Sequence, residues 1–111
     1  MVSKKTTPEV SIEDRELRDY ELLLIISPEV VDEALEAQLE KINQMVGERG
    51  GTVTYTDQWG KRKLAYPVEH FLEGNYVLLG LKFDPTQCEG LEARLRISEQ
   101  ILRVLLIKVG G

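Results

Sequence analysis

The sequence predicts one α+β domain in which a four-stranded antiparallel sheet carries two helices on one face. Three observations support this. Strand-like and helix-like segments alternate in the order β-α-β-β-α-β, 111 residues fit a single domain, and 42% hydrophobic with 30% charged residues is ordinary for a globular protein. Two right-handed crossovers around a hairpin give the ferredoxin-like split β-α-β sandwich. Residues 17–109 should form this domain, and the polar residues 1–16 a flexible arm.

The first strand and helix are predicted from residues 20–47. The segment YELLLII, residues 20–26, is apolar on both faces and indicates a central strand. Ser27, Pro28 and Glu29 are typical of a helix start, with an N-cap, a first-turn proline and a first-turn carboxylate. The helix should run to about Gly47. Its apolar stripe consists of Val31, Leu35, Leu39, Ile42 and Val46.

The second and third strands should form a hairpin. In TVTYTDQWGKRKLAY, Val53 and Tyr55 share one phase of the strand, whereas Leu64 and Tyr66 share the other. Such a phase change predicts a bulge or kink, for which Gly60 is the natural position. Residues 67–74 are predicted to connect this segment to the third strand, NYVLLGLKF. The residues of that strand predicted to share one face are Val77, Leu79, Leu81 and Phe83.

The last two elements are a helix and a strand. Asp84-Pro85-Thr86 should open the second helix, with Thr86 and Glu89 as a capping box. The buried side of this helix is predicted to contain Cys88, Leu91 and Leu95. The segment ILRVLLIKV then gives the fourth strand.

The sheet face away from the helices is expected to expose apolar residues, because the strands carry them in both phases. These residues are Leu23, Ile25, Tyr76, Leu78, Leu102, Val104 and Leu106. An exposed apolar patch usually marks a partner site. The predicted partner-binding residues are therefore Tyr76, Leu78, Leu102, Val104 and Leu106. Partial cover by the N-terminal arm is the alternative.

Positive charge is concentrated in the second half of an acidic chain. Net charge is −5, yet residues 59–111 carry 8 Lys/Arg against 6 Asp/Glu, whereas residues 1–58 carry 6 against 13. On a strand, Lys61 and Lys63 share one face and Arg62 takes the other. A local basic patch is sufficient for phosphate contacts. Protection of an edge strand is the alternative for these three cations, and solubility or helix-dipole interactions are the alternative for Arg96 and Arg103.

Enzyme chemistry is not predicted. The chain has no glycine-rich phosphate loop and no metal-ligand spacing, so we expect no cofactor, no metal and no small-molecule substrate. The single histidine, His70, lies in a loop, and Cys88 is expected to be a small core residue in a protein of the reducing cytosol. No apolar run reaches the roughly 20 residues that cross a bilayer, so no membrane association is expected. An RNA-recognition motif would need several aromatic residues on the central strands, where Tyr76 is the one candidate.

Four segments closely resemble the bacterial small-subunit ribosomal protein S-six family over about residues 17–109. They are RDYELLLIISPE, WGKRKLAYP, GNYVLLGLKF and LRISEQILRVLLIKV. The resemblance implies a non-catalytic component of the small ribosomal subunit, located on the cytoplasmic ribosome. It also implies that the protein, together with ribosomal protein S-eighteen, binds the central domain of the small-subunit ribosomal RNA during assembly.

The resemblance also implies which residues contact RNA. Arg62 matches the arginine of the WGKRKLAYP motif, Arg18 and Tyr20 match a basic-aromatic opening, and Arg96 and Arg103 match cations flanking the fourth strand. The full set of predicted RNA-binding residues is Arg18, Tyr20, Lys61, Arg62, Lys63, Arg96 and Arg103. Asp19 and Leu102 depart from the family, whose members can carry basic residues there. The arm is also longer than usual and a C-terminal tail is missing, so contacts made by such a tail should be absent or replaced.

A stand-alone ligand-sensing or dimerising domain with the same layout is the alternative function. Its apolar open face would pair sheet to sheet and give a stable homodimer that ignores ribosomal RNA. The ribosomal interpretation instead predicts a monomer when the protein is free.

Overall fold

A computed structural model describes residues 17–110 of the chain. They form β1 (Arg18–Ile26), α1 (Asp32–Glu48), β2 (Thr52–Val68), β3 (Phe71–Phe83), α2 (Cys88–Arg96) and β4 (Ile101–Lys108), with a 3₁₀ turn at Pro85–Gln87. The sheet order is β2-β3-β1-β4 and every neighbouring pair is antiparallel. The ferredoxin-like prediction is therefore confirmed. The predicted arm, residues 1–16, lies outside the described residues.

One face of the sheet and the inner sides of both helices form the hydrophobic core. Alternate residues of β1 and β3 point to this helix face, where Leu22, Leu24 and Phe83 are fully buried. The predicted apolar residues of α1 and α2 meet them, because Leu39, Ile42 and Val46 are buried and so are Leu91 and Leu95. Since a strand alternates its side chains, the opposite face is left without helix cover.

Helix α1 begins later than its sequence predicts. Ser27–Val30 form a turn, in which the Ser27 hydroxyl accepts from the Glu29 N–H at 3.2 Å and the Val30 N–H donates to the Ser27 carbonyl at 3.0 Å. The buried Asn75 of β3 donates to the Ser27 and Val30 carbonyls at 3.0 and 2.8 Å. The sheet therefore holds this turn, and the helix starts at Asp32. Val31 lies outside the apolar stripe and is 44% exposed.

The β2–β3 hairpin is longer than predicted. Both strands continue through most of the predicted connection, so that Glu69 and His70 alone make the turn between Val68 and Phe71. The predicted irregularity at Gly60 is confirmed, because the β2–β3 register shifts between Gln58 and Gly60 and the Gly60 φ is +84°. A second shift lies between Val53 and Tyr55.

The start of α2 also differs from the prediction. The Asp84 carboxylate, rather than a Thr86–Glu89 capping box, accepts from the Thr86 N–H and the Thr86 hydroxyl, both at 2.9 Å. An aspartate at the N-cap can accept a hydrogen bond from the backbone N–H two residues later, and Asp84 takes this role here. The α-helix then begins at Cys88, after the 3₁₀ turn.

The predicted phase of β4 is wrong. Val104 pairs with Leu24 and Leu106 with Leu22, so both lie on the helix face, where Val104 is 8% exposed and Leu106 packs against the core. The apolar residues of ILRVLLIKV occupy both phases, and periodicity therefore could not select one. Leu102 falls at the register shift between Ile25 and Ile26 and has no partner in β1.

Removal of the Asn75 amide should destabilise the fold, because the Val30 carbonyl loses the Asn75 hydrogen bond and the Ser27 carbonyl keeps only its bond from the Val30 N–H. We expect Asn75→Ala to lower the free energy of unfolding by about 2 kcal/mol in urea denaturation. Asn75→Asp should cost at least as much at neutral pH, since a carboxylate would face two carbonyl oxygens. Asn43→Ala, at an exposed position of α1, is the matched control and should change stability little. Equal stability of the Asn75 and Asn43 variants would contradict this role.

Candidate RNA and partner interface

The open face is the sheet face opposite the two helices, and strand pairing assigns its residues. In β1 and β3 these are Asp19, Glu21, Leu23, Ile25, Tyr76, Leu78, Gly80 and Lys82. In β2 and β4 they are Tyr55, Asp57, Trp59, Gly60, Arg62, Arg103, Leu105 and Ile107. Tyr76 and Leu78 thus lie on the predicted face, whereas Val104 and Leu106 do not.

The β4 side of the open face is aliphatic. Leu105 and Ile107 are each 45% exposed and lie across from Leu23 and Glu21. They take the positions that the sequence analysis assigned to Val104 and Leu106. Large aliphatic side chains exposed in a row along an edge strand are typical of a protein contact surface.

The β2 side of the open face is aromatic. The rings of Trp59 and Tyr76 stack at 6.3 Å between centroids and 8° between planes, and the Arg62 guanidinium lies 5.6 Å from the centre of the Trp59 ring. The Trp59 Nε1 donates to Asp57 at 3.1 Å, and the Arg62 Nε donates to the Trp59 carbonyl at 3.4 Å. The sequence offers Tyr76 as the one aromatic candidate, since spacing along the chain does not show that β2 brings Trp59 against it.

The bulge in β2 decides which cation joins this cluster. Trp59 is the extra residue, because Gln58 pairs with Val77 and Gly60 pairs with the next residue, Tyr76. With regular alternation, Lys61 and Lys63 would share a face with Trp59. The shift instead places Arg62 beside Trp59 and sends both lysines to the other side, opposite Asn75 and Glu73. Gly60 permits the shift through its positive φ of +84°.

The end of the hairpin folds over the open face and reaches β4. The Arg103 Nη1 donates to the Tyr66 hydroxyl at 2.9 Å, a bond between residues 37 positions apart that also raises the pKa of Arg103. Below this bond is a cleft of about 230 Å³, whose walls include Leu23, Ile25 and Leu105. Arg103 also lines a second, wider groove together with Arg96 and Leu102.

The predicted RNA-binding residues therefore do not form one patch. Arg62, Arg103 and Arg96 lie toward the hairpin end of the sheet, and all three are exposed. Arg18 is at the other end of β1, about 23 Å from Ile25 at roughly 3.3 Å per residue. Tyr20 is excluded as a surface contact, because it points to the helix face and is buried in the core.

Acidic groups occupy the open face away from the hairpin end. Asp19 forms an ion pair with Lys82 at 3.0 Å, and Glu21 accepts from the Tyr55 hydroxyl at 3.3 Å. Loss of surrounding water and the Glu21 charge raise the pKa of Tyr55, so its hydroxyl remains a donor. The Tyr55 ring lies over Gly80, where any side chain would collide with it. One open face thus carries negative charge near Glu21 and positive charge near Arg62 and Arg103.

The two residues considered for enzyme chemistry, Cys88 and His70, have surroundings that are typical of structural side chains. Cys88 is half-buried against Tyr20, and burial raises the pKa of its thiol, which disfavours the thiolate that a nucleophile needs. Contact with Cys88 and burial likewise raise the pKa of Tyr20. His70 is exposed in the hairpin turn and stacks on Phe71 at 4.5 Å. Between residues 17 and 110, no His, Cys, Asp and Glu side chains gather as a metal site and no helix has the length and apolar character to span a bilayer.

A family model described as ribosomal protein S6 matches residues 19–108. The chain belongs to the ribosomal protein S6 family. Small ribosomal subunit protein bS6 of Moorella thermoacetica is 40% identical to it over 93 residues, which cover 84% of this chain and 95% of that protein. The protein of the same name from Dehalococcoides mccartyi strain ATCC BAA-2266 is 42% identical over 93 residues, covering 84% and 85%.

A solved structure supports the fold of this S6 family member. The crystal structure of 30S ribosomal protein S6 from Thermotoga maritima matches with a TM-score of 0.78 and 30% identity, covering 84% of this chain and 88% of that one. The resemblance found in the sequence is therefore confirmed. The chain is a ribosomal protein by family, and its relatives are named as subunit proteins rather than as enzymes.

The Cys88 thiol should react slowly in the folded protein. Because burial raises its pKa, less thiolate is present at pH 8 than in the unfolded chain, and access is restricted. We expect iodoacetamide to label Cys88 more slowly in buffer than in concentrated urea, because the folded protein has less thiolate and restricts access to the sulfur. A model thiol such as glutathione corrects for the effect of urea on the reagent. Equal labelling rates would show an accessible, reactive cysteine.

Proposed function

We propose that this ribosomal protein S6 family member binds the central domain of the small-subunit ribosomal RNA jointly with ribosomal protein S-eighteen during subunit assembly. The observation that carries the proposal is the two-part open face. Its β4 side exposes Leu105 and Ile107, and its hairpin end carries Arg62 and Arg103. An aliphatic surface suits a protein partner and a cationic one suits phosphate.

The charge of the chain supports a joint rather than a solitary mode of RNA binding. The net charge is −5, and two carboxylates, Glu21 and Asp57, lie on the same open face as Arg62 and Arg103. RNA is a polyanion, so it is repelled by the net negative charge of the protein and attracted to the cations at the hairpin end of the open face. A basic partner seated on the β4 side, near Glu21, would offset this repulsion and supply further phosphate contacts.

The first test concerns the β4 side of the open face. We expect the double variant Leu105→Gln, Ile107→Gln to reduce affinity for the partner by about tenfold or more, because two central apolar contacts become polar. Isothermal titration with purified partner measures the change. Val31→Gln is the matched control, since Val31 is 44% exposed beside the helices rather than on the open face. An unchanged affinity in the double variant would place the partner elsewhere.

The second test separates the cations of the KRK segment. We expect Arg62→Gln to weaken binding of the partner complex to a central-domain transcript and to lower the slope of log affinity against log salt by somewhat under one. Lys61→Gln with Lys63→Gln, on the other side of β2, should change the slope less. If the lysine pair matters and Arg62 does not, the RNA contacts the helix side of this edge instead.

The proposal as a whole is tested with the unaltered protein. RNA binding should be weak alone and much tighter once the partner is added, in a filter-binding assay at fixed salt. The free protein should elute as a monomer at low concentration. A tight homodimer that binds neither partner nor transcript would favour the alternative dimerising domain, in which Leu105 and Ile107 pair with a second sheet.

A further inference from the structure

We propose that Trp59 is a stacking site for an unpaired nucleobase of the RNA. This inference rests on the RNA-binding function proposed above, and it adds one aromatic residue to the RNA contact. In this assignment the base lies on the indole face now covered by Arg62, and the displaced guanidinium contacts the base or its phosphate. The partner protein takes no part in this contact.

The Trp59 ring is held in place for stacking. Its plane is nearly parallel to the Tyr76 ring, at 8° and 6.3 Å between centroids, and its Nε1 donates to the Asp57 carboxylate at 3.1 Å. The indole is nevertheless 39% exposed. A flat ring that is held by a neighbouring ring and a hydrogen bond loses little conformational freedom when a base stacks on it.

The Arg62 guanidinium lies over the Trp59 ring. It is 5.6 Å from the ring centre, and the Arg62 Nε donates to the Trp59 carbonyl at 3.4 Å. A base between guanidinium and indole needs about 6.8 Å, twice the spacing of stacked bases of roughly 3.4 Å. A small outward movement of Arg62 would therefore admit a base, and arginine stacks on bases as well as on indole.

Charge favours RNA over an apolar protein segment at this position. The Arg62 guanidinium lies over the Trp59 ring, and Arg103 lies on the same face of the sheet, in the row of Gly60, Tyr76 and Ile25. The nearest carboxylate on this face, Asp57, is already bonded to the Trp59 Nε1. The aliphatic residues suited to a protein partner lie instead on the far strand, β4.

Trp59 also reports on its own site, because it is the one tryptophan in the sequence. We would record tryptophan emission for the wild-type protein and for Trp59→Phe, each in complex with the partner, and take the difference as the Trp59 signal. A central-domain transcript should quench that signal, since a stacked base quenches indole emission. Heparin, which has negative charge but no bases, should not. The partner alone should also leave the signal unchanged.

Affinity measurements complete the test. Trp59→Leu, which keeps apolar volume and loses the flat ring, should weaken transcript binding about tenfold without changing the salt slope. Trp59→Phe should stay within about threefold of wild type. Tyr55→Leu is the matched control on the same strand and face, because Tyr55 is 46% exposed but faces Glu21 rather than cations. Its binding should be unchanged.

Each outcome separates this inference from the function on which it rests. Normal transcript binding with no Trp59 quenching, or with full affinity in Trp59→Leu, overturns the stacking site and leaves the proposed function intact. Quenching by the partner alone, or equally by heparin, overturns it as well. Absence of transcript binding by the wild-type complex overturns both. A loss of partner affinity in Trp59→Leu, with thermal unfolding unchanged, would show that the partner contacts Trp59 and would overturn the stacking site as well.

Discussion

Packing of both helices against one face of the sheet fixes the side on which every strand residue must lie. A strand alternates its side chains, so burial of Leu22, Leu24 and Phe83 turns their neighbours outward. The register shifts in β2 then adjust which of its side chains reach the open face. They change the phase of a strand without changing its pairing partner, and they bring Arg62 rather than two lysines beside Trp59. The chemistry of the open face follows from these two constraints together.

The sequence was sufficient to predict the order of helices and strands. It was not sufficient to predict on which face of the sheet each strand residue lies. Helices, strands and the irregularity at Gly60 could be predicted because their signals are local. The phase of β4 could not, since ILRVLLIKV is apolar in both phases and the choice depends on pairing with β1. The start of α1 was misplaced for a similar reason: Asn75, 45 and 48 residues away, takes the two carbonyls of the turn.

The candidate site residues also divide into those whose position the sequence predicted correctly and those whose position depends on strand pairing. Family motifs pointed to Arg62 and Arg103, which the fold places on one face with Trp59. They also pointed to Tyr20, which belongs to the core. The aromatic cluster escaped prediction because Trp59 and Tyr76 are 17 positions apart and meet through strand pairing alone. Grouping aromatic residues by predicted strand face, rather than by segment, would have given the signal that was missed.

The irregular course of β2 has a consequence for solubility. Its pairing with β3 shifts register at three points, it carries three successive cations, and Pro67 near its end lacks an N–H. A neighbouring molecule therefore meets no evenly spaced ladder of donors and acceptors at this margin. These features disfavour the pairing of this edge with a strand of another molecule, and they therefore oppose growth of the sheet into a fibril on this side.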